Sequence, residues 1–229
     1  EAAEFYTSTF KNSNILTTVP YTEVGQEIHG QTPGSVMTID LELEGYRFSL
    51  LNAGPVFSPN PSISFFVNCE SKDEVDRLWA ALSEGGRTLM PLDTYPFSQW
   101  YGWVEDKFGV SWQVSVADEP FAKIVPSLLF VGDNVGKAEE AVHFYVSVFR
   151  DAEAKGFFRY EAGQEPDKAG TIAYADFMLE GQSFAAMDSA REHGYTFSEG
   201  ISLIVNCDDQ AEVDYYWGKL SAVPEAEQC

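Results

Sequence analysis

The strongest constraint on the fold is that the sequence reads twice. Glu1-Ala-Ala-Glu-Phe-Tyr-Thr-Ser-Thr-Phe10 matches Glu140-Ala-Val-His-Phe-Tyr-Val-Ser-Val-Phe149 at six of ten positions. Leu43-Glu-Gly45 and Phe48 correspond to Leu179-Glu-Gly181 and Phe184, and Ser62 to Trp79 reads against Gly200 to Trp217. The offset moves from 139 to 136 to 138 residues, so the length differences fall in loops between the blocks. A period this long describes two tandem copies of one domain, not a solenoid of short units. At 229 residues the chain has room for both copies, each with a core of its own. Its 45% hydrophobic and 14% aromatic content excludes an intrinsically disordered chain.

The second copy gives the order of elements. Ser127 to Val131 is a short apolar strand, and Gly132-Asp-Asn-Val-Gly136 a turn whose Asp133 or Asn134 can cap the helix after it. From Lys137 to Phe149, apolar residues at 138, 141, 142, 145, 148 and 149 follow the period of an amphipathic helix. Ala154 to Tyr160 reads as a strand. Thr171 to Leu179 and Gln182 to Met187 read as two more, joined by a hairpin turn at Glu180-Gly181. Another strand is expected at Ile201 to Asn206 and a second helix at Asp209 to Leu220. The first copy supplies the ending: strand Tyr101 to Glu105, turn Asp106 to Gly109 and strand Val110 to Val116. Helices set beside mainly antiparallel strands make the class α+β.

The expected units are residues 1–117 and 126–229, with 118–125 as the linker. The first opens directly at its helix, without an initial strand. The second stops at Cys229, before any counterpart of Gly102-Trp103. Both outer ends are therefore expected to be incomplete, either in a fragment or awaiting strands from another element.

Charge and cysteines narrow the partners. With 14 basic against 36 acidic residues the net charge is −22, and no window gathers Lys and Arg into a cluster. Phosphate backbones and anionic membranes need such clusters, so nucleic acid and membrane surfaces are excluded as partners. No apolar run approaches the length of a membrane helix, and the acidic start Glu1-Ala-Ala-Glu4 is not a secretory signal. Cys69, Cys207 and Cys229 form no Cys-x-x-Cys pair. Cys69 and Cys207 read as buried small hydrophobes, and the compartment as reducing and cytoplasmic.

At Ala138 to Phe149, at both Leu-Glu-Gly turns, and at Trp100-Tyr-Gly-Trp-Val-Glu-Asp-Lys-Phe-Gly-Val-Ser-Trp-Gln113, the sequence resembles the vicinal oxygen chelate superfamily. That superfamily includes glyoxalase, extradiol dioxygenase and bleomycin-resistance proteins. Within it the chain is similar to the PhnB-like group, labelled "3-demethylubiquinone-9 3-methyltransferase domain". The resemblance covers both copies. It implies tandem domains of two βαβββ modules each, with curved mixed sheets around a pocket. It also implies assembly as a homodimer or as a pseudo-dimer within one chain.

Metal-using members of that superfamily carry His, Gln or Glu on the first, mid-domain and last strands. Here the opening strand of the second copy offers Ser127, and the mid-domain strands hold no His or carboxylate. The last strand offers Gln113. A neutral amide is a weak ligand by itself, so no metal site and no cofactor are expected. His29, His143 and His193 share no ligand spacing and read as solvated or capping residues. No Gly-x-Ser-x-Gly elbow offers a nucleophile. Gly132-x-x-x-Gly136 reads as a turn and cap, not as a methyl-donor site.

The positive signal is aromatic. Tyr95, Phe97, Trp100, Tyr101, Trp103 and Trp112 fall within eighteen residues, near Gln99 and Gln113. Alternation sets Trp112 on one strand face with Val110 and Val114, and Gln113 on the other with Ser111 and Ser115. Gln113, Ser111, Trp103, Trp100 and Tyr101 are thus the candidate pocket residues; core and dimer-contact packing is the alternative for the aromatics. Two functions emerge as expectations. One is a protein that binds a small molecule without an intact metal site. The other is a metal-dependent lyase, isomerase or dioxygenase whose ligands come from strands beyond these or from a partner subunit.

Overall fold

The computed structural model describes residues 1–117 and 122–221. Part of the expected linker and Cys229 lie outside that description. The class is α+β, with strands predominating over a few helices. The first copy contributes α1 (Ala2–Thr9), β1 (Ser13–Pro20), α2 (Gln26–His29), β2 (Val36–Leu43) and β3 (Tyr46–Leu51). It continues with β4 (Ile63–Cys69), α3 (Lys72–Ser83), β5 (Arg87–Tyr95), β6 (Ser98–Glu105) and β7 (Ser111–Val116). The second copy holds β8 (Ile124–Phe130), α4 (Ala138–Val148), β9 (Ala152–Arg159), β10 (Ile172–Leu179), β11 (Gln182–Asp188) and α5 (Gln210–Leu220). β8 begins two residues inside the stretch expected to connect the copies.

The duplication is visible down to single hydrogen bonds. Both Leu-Glu-Gly turns place Glu and Gly at positive φ (51° and 84°, then 46° and 77°), the backbone of a type I′ hairpin. Tyr21 Oη donates to the Asn52 carbonyl, and Tyr160 Oη to that of Asp188, its counterpart. Arg77 on α3 donates to the Thr9 carbonyl at the end of α1. Tyr215 on α5 donates to Val148 O, the matching carbonyl at the end of α4. Ser71 and Asp209 cap α3 and α5 by accepting the amides of Glu74 and Glu212, the capping signature of both sequences.

Sheet boundaries do not follow copy boundaries. One three-stranded sheet, β1-β2-β3, belongs to the first half of copy one. The other sheet has eight strands in the order β5-β6-β7-β4-β8-β11-β10-β9. It joins the second half of copy one to the first half of copy two through an antiparallel β4/β8 seam, from Ile63↔Leu128 to Val67↔Ile124. On each side of the seam the order of strands is the same, so the two halves are related by a pseudo-twofold.

Each half carries its helix on one face. Val75, Leu78 and Leu82 of α3 are buried in a cluster with Phe65, Val67, Val104, Trp112 and Val114. Ala138 and Val142 of α4 are buried with Ile172, Ala175, Phe177 and Ala186. Among the described residues no helix packs on the opposite face, which is concave. Phe66 on β4 and Tyr174 on β10 are separated by β8 and β11, about 14 Å across a flat sheet. Their ring centroids nevertheless stand 6.0 Å apart, edge to face.

Two expectations are corrected. Residues 201–206 form no strand, because among the described residues the segment has no neighbour to pair with, whereas β4, its counterpart, lies between β7 and β8. The cap of α4 is neither Asp133 nor Asn134. The buried Asp188 accepts the amides of Gly136 (2.7 Å) and Ala138 (3.2 Å) with one oxygen and that of Ile172 (2.9 Å) with the other.

Candidate functional site

The concave face is built around the seam. Register places Ser111 opposite Ser64, Ser64 opposite Ser127, and Ser127 opposite Ala185, so three serines lie side by side on adjacent strands. All three are fully buried. Ser111 Oγ accepts from Trp103 Nε1 at 2.7 Å. Ser64 Oγ accepts from Gln113 Nε2 at 2.8 Å, and Gln113 Oε1 accepts from the Tyr101 hydroxyl. Ser127 Oγ has no partner among the described residues. A buried hydroxyl without a hydrogen bond costs about 1–3 kcal/mol, so this one stands out against its satisfied neighbours.

Four of the five residues chosen from sequence share this face: Gln113, Ser111, Trp103 and Tyr101. Trp103 is the direct cross-strand neighbour of Gln113. Tyr95 and Phe97 pack on Tyr101 at centroid distances of 5.6 and 5.1 Å, extending the aromatic wall. Burial raises the Tyr101 phenol far above its usual range, aided by Tyr95, so it remains a donor to Gln113. Trp100 lies elsewhere. Its Nε1 donates to Asp76 on α3 at 2.7 Å, and Lys72 Nζ sits 3.6 Å above its ring, so it faces the helix. Alternation explains the split: the even residues of β6 meet α3, and the odd ones meet the cup. Trp112 is core, buried between Phe10 and Phe65.

Repeat two adds residues that could not be assigned to the cup from sequence, because the expected units kept the copies apart. Phe66 and Tyr174 face each other across it, and burial pushes the Tyr174 phenol up to about 12, assisted by Asp176. Ser127 belongs to the opening strand of copy two, yet it completes a row begun in copy one. The signal was present in the sequence as Ser127 and Ser64, each at the polar position of an apolar strand.

The strand positions where the resemblance places metal ligands thus carry Ser127, Ser64 and Gln113. Hydroxyls and one amide, with the amide oxygen already accepting from Tyr101, do not fit a divalent cation. Among the described residues no group of three or more His, Cys, Asp or Glu is placed to hold one. The histidines lie away from the serine row. His29 Nδ1 accepts from Gln31 N, and His143 is exposed beside Glu139. His193 contacts Ser189. A separate open depression of about 540 Å³ near Gln31, Leu51 and Asn52 contains none of the chosen residues.

A family model described as 3-demethylubiquinone-9 3-methyltransferase matches residues 1–115 and again 122–229. No curated protein matches the chain. Among solved structures, a protein from Bacillus cereus described as a putative 3-demethylubiquinone-9 3-methyltransferase, PhnB protein, is 37% identical. That match covers 51% of this chain and 88% of the other, with a TM-score of 0.46. A protein from Staphylococcus aureus is 33% identical over 50% of this chain and 83% of its own, with a TM-score of 0.23. A glyoxalase I mutant from Zea mays is 10% identical, covers 83% of this chain and 65% of its own, and has a TM-score of 0.50. The last is a likeness of fold.

Proposed function

The chain belongs to the 3-demethylubiquinone-9 3-methyltransferase family, in two copies, and we propose that it binds a small molecule in the cup of its eight-stranded sheet without holding a metal ion there. The observation that carries this reading is Ser127 Oγ, fully buried and unpartnered beside two serines whose hydroxyls are engaged. A ligand oxygen or nitrogen reaching Ser127 supplies the missing bond, while Phe66, Tyr174, Tyr101 and Trp103 offer faces and edges for an apolar or aromatic body. The cup is a shared product of both copies, which supports a pseudo-dimer within the chain. We retain the units 1–117 and 126–229 as the sequence domains.

Methyl transfer is not part of this reading. The Gly136 amide that closes the Gly132 to Gly136 turn and the Ala138 amide that opens α4 both go to the Asp188 carboxylate, and those of Asn134 and Val135 go to backbone carbonyls, so these four donors are already engaged. No described helix is long and apolar enough to cross a membrane. The free thiols of Cys69 and Cys207 support a reducing, cytoplasmic setting.

The test is a fluorescence titration of the purified chain with small aromatic and heteroaromatic compounds, following tryptophan emission and repeated in Trp103→Phe to isolate that indole's share, with and without chelator. Saturable binding that is indifferent to chelator and weakened about tenfold by Ser127→Ala is expected, the size of one hydrogen bond. Stoichiometric Ni, Mn, Fe or Zn in protein purified without chelator would overturn the reading in favour of a metal-dependent enzyme.

A further inference from the structure

Past β11 the chain crosses the rim of the cup and assembles a second polar group. Ser189 continues the alternation of Ala185 and Met187, so it belongs to the concave face, and its amide is held by Phe130 O at 2.9 Å. Ser189 Oγ lies 2.8 Å from His193 Nε2, and His193 Nδ1 lies 3.1 Å from Tyr195 Oη. Gly194, at φ 66°, makes the left-handed turn that brings Tyr195 back to the imidazole. The loop is fastened at both ends. The buried Asp167 accepts the Ala190 amide at 2.7 Å, while Asn60 and Ser62 both donate to Thr196 O. A hydroxyl within hydrogen-bond reach of an imidazole, which is oriented in turn by a third group, is the arrangement that activates a nucleophile.

We propose that Ser189, His193 and Tyr195 form a nucleophile, base and orienting group that take an acyl group from an activated ester. With Nδ1–H donated to Tyr195 Oη, Nε2 accepts the Ser189 proton. Ser189 Oγ attacks the carbonyl carbon and its proton passes to Nε2. The ester C–O bond then breaks, and the leaving alcohol carries that proton away. Water attacks the acyl-serine, again losing a proton to Nε2, and the carboxylic acid leaves as Ser189 is re-protonated. The Arg191 amide points at Ser189 Oγ from 3.5 Å.

The surroundings suit these roles. Burial lowers the His193 pKa, with Asp167 opposing and Arg191 assisting, which favours the neutral base near pH 7. The Tyr195 phenol is pushed up to about 12 by burial, against Arg87 and with Glu105, so it stays protonated.

The test uses the full chain with p-nitrophenyl acetate and, separately, a fluorophosphonate probe, located by peptide mass spectrometry. Expected are an adduct on Ser189 and a loss of about 100-fold in acylation rate in Ser189→Ala and His193→Gln, the size of general-base assistance. Tyr195→Phe, which keeps the ring against His193, should lose rate by a smaller factor and shift the pH profile. Circular dichroism of each variant checks folding. An unlabelled Ser189 in the folded protein, or labelling unchanged in His193→Gln, would overturn the proposal. Neither result depends on a ligand or a metal in the cup, so it leaves the binding reading to its own titration.

Discussion

Asp106 is 3% exposed and accepts four hydrogen bonds. Oδ2 receives the Tyr6 hydroxyl and Trp112 Nε1, each at 2.8 Å, and Oδ1 receives the amides of Phe108 (2.8 Å) and Val110 (3.1 Å). Burial and Asp106 together raise the Tyr6 phenol well above its ordinary value, so the donor persists at any physiological pH. Asp106→Ala leaves four donors without an acceptor and is expected to cost about 3–5 kcal/mol in chemical denaturation. Ser127→Ala should act oppositely on stability. Deleting an unsatisfied hydroxyl is expected to raise stability by up to about 1 kcal/mol while weakening ligand binding, a divergence that paired denaturation and titration would reveal. At this scale the sequence was legible in kind but not in pairing. Trp112 and Gln113 were assigned to opposite faces by alternation alone. That Asp106 binds Trp112, or that Ser189 meets His193, depends on loop geometry that no periodicity carries.

Elements were legible where their own residues determine them. The hairpin turn at Glu180-Gly181, the helices α4 and α5, and strands β8 to β11 follow from hydrophobic period and turn chemistry. Residues 201–206 were not, because a strand exists only with a neighbour; the same apolar pattern that gives β4 leaves Leu203 and Ile204 45% and 68% exposed here. The cap of α4 was missed for a related reason, since Asp188 arrives from a strand some fifty residues away. Close packing of α3 on β6 depends on Gly102, where a Cβ would stand 2.5 Å from the Trp79 indole. Gly102→Ala should therefore destabilise by about 1–3 kcal/mol, measured by thermal or denaturant unfolding, and Trp79→Leu in the same chain should recover part of that loss.

Across the whole molecule, the sequence repeat was plain and the sheet boundary was hidden. Duplication gives two equal units, yet pairing follows whichever modules present complementary edges, and here those come from different copies. The seam is reinforced beside β8, where Lys123 Nζ meets Glu74 on α3 at 2.8 Å. Burial alone would raise the Glu74 carboxyl, but the hydrogen bonds from Lys123 and the Glu70 amide, with the Lys123 charge, hold it below its ordinary value. A depressed carboxylate stabilises the fold above its unfolded-state pKa, and that contribution disappears as pH falls through the folded-state value. Lys123→Gln should accordingly flatten the acid side of the stability–pH curve, as followed by denaturation between about pH 3 and 7. The central claim is that the two copies join in one cup at β4 and β8, and the Ser64→Cys/Ser127→Cys double variant tests it most directly. Because Ser64 and Ser127 sit opposite each other across the seam, oxidation should link the two introduced thiols within one chain, as found by peptide mass spectrometry on non-reduced monomer. Absence of that link, or a link formed only between chains, would contradict it.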